Sequence, residues 1–187
     1  MPAKARAGLD RVAVVEAAAR LADADGFEAI TLARLAAELG VRPPSLYNHI
    51  DGWDGLRREL ALLGIRDLNQ RISRAAIGKS RDDALFALAT AYRAFAHERP
   101  GLYPATLRAP NPADIELTSA ADELLAVILS VLEGYGLEGD GALHTTRGLR
   151  SLMHGFVSLE AAGGFGLPLD LDESYRRLVA GFIAGLE

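Results

Sequence analysis

Four polar side chains stand almost side by side at Ser45, Tyr47, Asn48 and His49. Each carries a hydrogen-bonding group, and so short a run of them suits a surface that reads another polar surface by contact. Leu46 and Ile50, four apart, interrupt them and can pack inward on a helical turn, which leaves the polar set facing out. The chemistry this predicts is recognition of DNA. No pattern for catalysis competes with it: there is no Gly-rich phosphate loop and no nucleophile with a neighbouring base. His49, His97, His144 and His154 have no metal-ligand spacing, and no metal or cofactor is expected.

The elements that must hold these residues begin upstream. Thr31 is a suitable N-cap, with Ile30 and Leu35 spaced as a hydrophobic staple, and Leu32, Leu35, Ala36 and Leu39 make one apolar face. Gly40 supplies the backbone freedom for a sharp turn and Val41 plugs the corner. Pro43 and Pro44 restart the chain into a second short helix ending at Ile50. Before this pair, Asp10 caps a helix to about Ala24, so three helices share one small core within 50 residues. The first nine residues read as a small basic arm.

Net charge argues against nucleic acid rather than for it. The 187 residues carry 20 Lys and Arg against 25 Asp and Glu, a formal net charge of −5. Residues 1 to 60 hold eight cations against nine anions. Phosphate binding then depends on local placement of Lys4, Arg6, Arg11, Arg34 and Arg42.

The rest of the chain is Ala- and Leu-rich, without sustained alternation, and an all-α fold is expected. Asp51 opens a fourth helix to about Arg74, long enough to link an N-terminal domain (1–50) through 51–78 to a second domain (79–187). Ser80 and Asp83 resemble a capping box for a helix to about Glu98. Arg99-Pro100-Gly101 stops it, and prolines 104, 110 and 112 allow at most one short helix before an apolar helix over 113–135 that should be buried on more than one side.

A helix over 142–162 has two faces. Gly148, Ser151, Gly155, Ser158 and Ala162 share one narrow sector, where small residues permit close approach; Leu149, Leu152, Met153 and Phe156 lie opposite. A last helix carries Tyr175, Leu178, Val179 and Phe182. Tyr92, Phe95, Tyr103, Met153 and Phe156 are candidate ligand contacts, though aromatic and Met residues at helical spacing are as often core. His154 either meets a ligand or is a satisfied structural histidine. Glu160 either caps a backbone end or pairs with an arginine. With no cysteine, no apolar run of membrane-spanning length and no signal-peptide core, a soluble, cytoplasmic protein is expected.

The residues Gly26-Phe27, Thr31-Leu32, Leu35-Ala36, Leu39-Gly40-Val41, Pro44-Ser45-Leu46-Tyr47, His49-Ile50 and Leu56 resemble the DNA-binding signature of the TetR family of transcriptional regulators. His154-Gly155-Phe156 through Glu160 looks like the subgroup whose ligand domain has a Trp-His-Gly motif, without the tryptophan. The resemblance implies a homodimeric repressor on a palindromic operator, released by a small molecule, and the apolar character of the pocket candidates suggests a hydrophobic or aromatic one. It implies phosphate contacts for Tyr47 and His49, with Thr31 and the arm adding backbone contacts. Ser45 and Asn48 would read base edges, and Pro43 or Pro44 would touch a thymine methyl. Dimerisation would use the last two helices, hence Gly148, Ser151, Gly155, Ser158, Ala162, Leu178 and Phe182. Where the family commonly has a phosphate-gripping lysine this chain has Trp53, flanked by Asp51 and Asp54. The rival reading is a helical small-molecule binder without specific DNA recognition.

Overall fold

The computed structural model describes residues 9–186 and is helical throughout, with no strand among them. Seven α-helices follow in order: α1 (Arg11–Asp25), α2 (Leu32–Glu38), α3 (Gly52–Ala76), α4 (Arg81–Glu98), α5 (Ile115–Glu133), α6 (Gly139–Ala161) and α7 (Leu171–Ala184). Short 3-10 turns occupy Phe27–Ala29, Pro43–Asn48 and Tyr103–Thr106. By contact the chain forms two compact units, one of residues 1–64 and 99–117 and one of residues 65–98 and 118–187. Segment 99–117 therefore joins the N-terminal unit, although in chain order it falls between helices of the other.

In the first unit, Asp10 accepts from the Ala13 amide at 2.8 Å and Thr31 from the Arg34 amide at 3.1 Å, so both expected caps form. Gly40 has φ 66°, the left-handed conformation its turn requires. Val14, Ala18, Leu35, Leu46, Leu56 and Leu60 make the core, and Leu102 from the inserted segment is completely buried with them. Gly64 belongs to the same packing. A Cβ there would lie 2.6 Å from the Thr106 methyl, so this glycine sits inside a continuous helix because Thr106 and Leu102 crowd against it.

In the second unit α4, α6 and α7 pack on one another. Leu85, Leu88, Leu149, Val157, Val179 and Ile183 are among its buried side chains. The expectation that the apolar α5 is buried on more than one side is corrected: only Ala120, Val131 and Leu132 are buried, while Leu124, Leu125, Val127, Ile128 and Leu129 are half-covered. The tie at its end is polar. Arg81 donates to the Gly134 carbonyl at 3.0 Å and lies 4.7 Å from the Tyr135 ring centre, and the Tyr135 hydroxyl donates to Asp82 at 2.7 Å.

Candidate nucleic-acid interface and ligand domain

The segment from Pro43 to Asn48 winds as a 3-10 helix rather than the α-helical turn the apolar spacing suggests. Its amides close i to i+3 bonds, from Ser45 to the Arg42 carbonyl and from His49 to the Leu46 carbonyl, both at 2.9 Å. The outward set survives this change. Leu46 is fully buried and Ile50 is 5% exposed, while Tyr47 between them is 59% exposed. Arg42, Pro43, Pro44 and Asn48 are exposed as well; Ser45 and His49 are half-buried. Thr31 is exposed at the start of α2.

The cations around this surface are mostly engaged. Arg11 pairs with Glu59 at 2.9 Å and Arg34 with Asp25 at the end of α1. Lys4 and Arg6 lie outside the described residues. Trp53 is half-buried against the core, its ring centre 6.2 Å from that of Phe27, and the Arg57 guanidinium stands 5.7 Å from the Phe27 ring centre. The indole is thus part of the support for the turn after α1. Arg58 is held by Asp114 through two bonds of 2.5 and 2.6 Å, with Glu116 at 3.0 Å and Glu59 at 2.9 Å. The same ion pair holds the Asp114 carboxyl below the usual aspartate range.

Of the expected ligand contacts, Tyr92, Phe95, Met153 and Phe156 are buried in the second unit, Phe95 and Met153 almost completely. Tyr103 belongs to the first unit. His154 is half-exposed on the same side of α6 as Ser158, whose hydroxyl lies 3.3 Å from its Nδ1. On that helix Gly148, Ser151, Ser158 and Ala162 are exposed and Gly155 half-buried; on α7 Leu178 is 37% exposed. Phe182 covers part of Gly148, where a Cβ would meet its ring at 3.4 Å.

What sequence reasoning missed is a polar cluster beside a groove of about 450 Å³ between α4 and α7. Glu160 does pair with an arginine: Arg93 donates to both its oxygens, at 2.9 and 2.6 Å, and His97 Nε2 lies 2.8 Å from one of them. The Arg93 bonds hold the Glu160 carboxyl below its ordinary range, while Arg93 itself is pushed up. Tyr175, buried beside this cluster, donates to the Ala89 carbonyl at 2.8 Å, and burial pushes its phenol up. The available signal was the stripe Phe86, Thr90, Arg93, Ala94 and His97 on one face of α4, polar where a core face would not be.

Residues 14–60 match the model of bacterial regulatory proteins of the tetR family, and residues 85–182 match the tetracyclin repressor-like C-terminal domain. The chain is 38% identical over 182 residues to the uncharacterized HTH-type transcriptional regulator Rv0681 of Mycobacterium tuberculosis, covering 97% of this chain and 83% of that one. It is 40% identical over 181 residues to the uncharacterized HTH-type transcriptional regulator YobS of Bacillus subtilis, covering 97% and 94%. Its fold is similar to that of a TetR variant from Acinetobacter baumannii AYE, solved in complex with minocycline, with TM-score 0.71 and 20% identity over 95% of this chain and 96% of that one. With a capped helix-turn-helix unit, an outward polar segment at its end and matches spanning both halves, the chain belongs to the TetR family of transcriptional regulators, DNA-binding proteins rather than enzymes.

Proposed function

We propose that the protein is a cytoplasmic, ligand-responsive repressor that binds a palindromic operator as a homodimer and leaves it when a small apolar effector occupies its C-terminal helices. One observation carries the DNA part: Leu46 and Ile50 are locked in a core while Tyr47 and Asn48 between them stand in solvent. In this reading Ser45 and Asn48 meet base edges, and Tyr47, His49 and Thr31 hold phosphates. Pro43 or Pro44 lies against a thymine methyl, and Arg42, Lys4 and Arg6 add charge. Trp53 supports the turn and offers its indole N–H to a phosphate.

The exposed small-residue face of α6, with Leu178 and Phe182 on α7, supports a dimer in which these helices meet their symmetry mates. The minocycline complex of the Acinetobacter protein supports a small-molecule effector. Release requires that the effector bind the operator-free form more tightly than the bound one, since only differential affinity shifts the equilibrium.

Selection from random duplexes with the full-length protein, followed by sedimentation of the enriched complex, tests this. An inverted repeat carrying two protomers is expected. No enrichment at low salt, or a single half-site bound by one protomer, would overturn the reading.

A further inference from the structure

The groove between α4 and α7 has an apolar wall, Phe86 and Ala94 from one helix and Tyr175 and Val179 from the other, and a charged end at Arg93. Arg93 is held so that one edge stays available. Its Nε and Nη2 are committed to Glu160, and its guanidinium stands 5.5 Å and 5.2 Å from the ring centres of Phe156 and Tyr175. Side-chain exposure is 14% for Arg93 and 11% for Glu160, so separating them leaves a charge nearly buried and unpaired. The third donor, Nη1, bonds Asp172 at 2.8 Å, but the Asp172 side chain is 85% exposed. Asp172 is thus the solvent-facing partner of a nearly buried guanidinium: on leaving Arg93 it regains water, while Arg93 keeps both bonds to Glu160.

The other charges around the groove favour an anion. Both Glu160 oxygens are occupied by Arg93 and His97, and both Glu173 oxygens by Arg176 and Arg177. An incoming cation finds Asp172 alone, whereas an incoming carboxylate finds Nη1 of a fixed guanidinium. We propose that the groove binds a small apolar carboxylic acid, whose carboxylate replaces Asp172 on Arg93 and whose body lies between Phe86 and Val179. That such an occupant acts as the effector rests on the ligand-responsive reading above; that the groove holds it does not.

Calorimetry on the DNA-free, full-length protein tests the site, with phenylacetate as probe and phenylacetamide as its uncharged counterpart. The acid should bind at least about tenfold more tightly than the amide, because only the acid makes a charge-assisted bond. Asp172→Asn removes the competing carboxylate from an exposed position and should tighten the acid about threefold. Arg93→Lys loses the planar fork and should weaken it about tenfold. No binding of the acid at millimolar concentration, equal binding of acid and amide, or an Asp172→Asn variant that binds no more tightly overturns the proposal. Operator release by phenylacetate is scored separately: binding without release keeps the site and counts against its effector role.

Discussion

Gly101 lies so close to the last turn of α1 that a Cβ on it would stand 1.9 Å from the Ala22 carbonyl, and its amide donates to Asp23 at 3.1 Å. The same carboxylate accepts from the Leu102 amide at 3.1 Å and from Arg99 Nε at 2.6 Å. One aspartate near the end of α1 thus ties down the chain as it leaves α4, and Leu102 follows it into the core of the DNA-reading unit.

Gly101→Ala should destabilise the protein by about 1–3 kcal/mol or more, since the obstructing atoms are backbone and cannot rotate away. Asp23→Ala should cost about 1–3 kcal/mol by leaving the buried Gly101 amide without its acceptor, while the Leu102 amide keeps the Arg99 carbonyl at 3.1 Å. Denaturant melts of both variants check this; a midpoint unchanged in either would show that the segment is not held at this point.

Tyr47→Ala should leave the melting midpoint and the dimer unchanged while weakening operator binding by about 1–3 kcal/mol, because the side chain is exposed and supports no core. Unfolding or dissociation of this variant would instead make Tyr47 structural. Gel shift beside thermal melting distinguishes the two.

Operator affinity should fall only gently with salt, because Arg11 and Arg34 already have carboxylate partners. Asp25→Asn frees Arg34 and should steepen the slope of log affinity against log salt by about one phosphate equivalent, roughly 0.9. A steep slope in the parent protein, on the order of ten, contradicts this account.

Glu160 titrates lower in the folded protein than its ordinary value of 4.5, chiefly through the Arg93 bonds. Its contribution to stability is therefore fully present above the ordinary glutamate range and is lost as pH falls through the lowered value. Acid unfolding should soften in Glu160→Gln: less stable than the parent at pH 7, with a smaller further loss as pH falls below the ordinary glutamate range. Parallel stability curves for the two proteins would remove Glu160 from the account.

The helix-turn-helix was legible from sequence because its determinants are local. Thr31 caps within three residues, Gly40 turns at one position, and Leu46 and Ile50 mark an inward side within one turn. The ligand domain was less legible. Tyr92, Phe95 and Met153 carry the same helical spacing whether they line a cavity or fill a core, and only the packing of α4 on α6 and α7 decides how deeply they are buried. The α5 helix misled for a related reason: its composition records how apolar it is, not how many neighbours cover it.

By itself the sequence determined the all-helical class, the caps at Asp10 and Thr31, the turn at Gly40 and the polar set from Ser45 to His49, all of which follow from interactions spanning a few residues. Tertiary structure alone decided three things. Segment 99–117 joins the first unit, Arg11 and Arg34 are paired with Glu59 and Asp25, and Arg93 presents to a groove an edge whose partner, Asp172, is exposed. Each depends on partners from 9 to 79 residues away in the chain, and nothing in local spacing records which distant charge or carbonyl the fold will bring alongside.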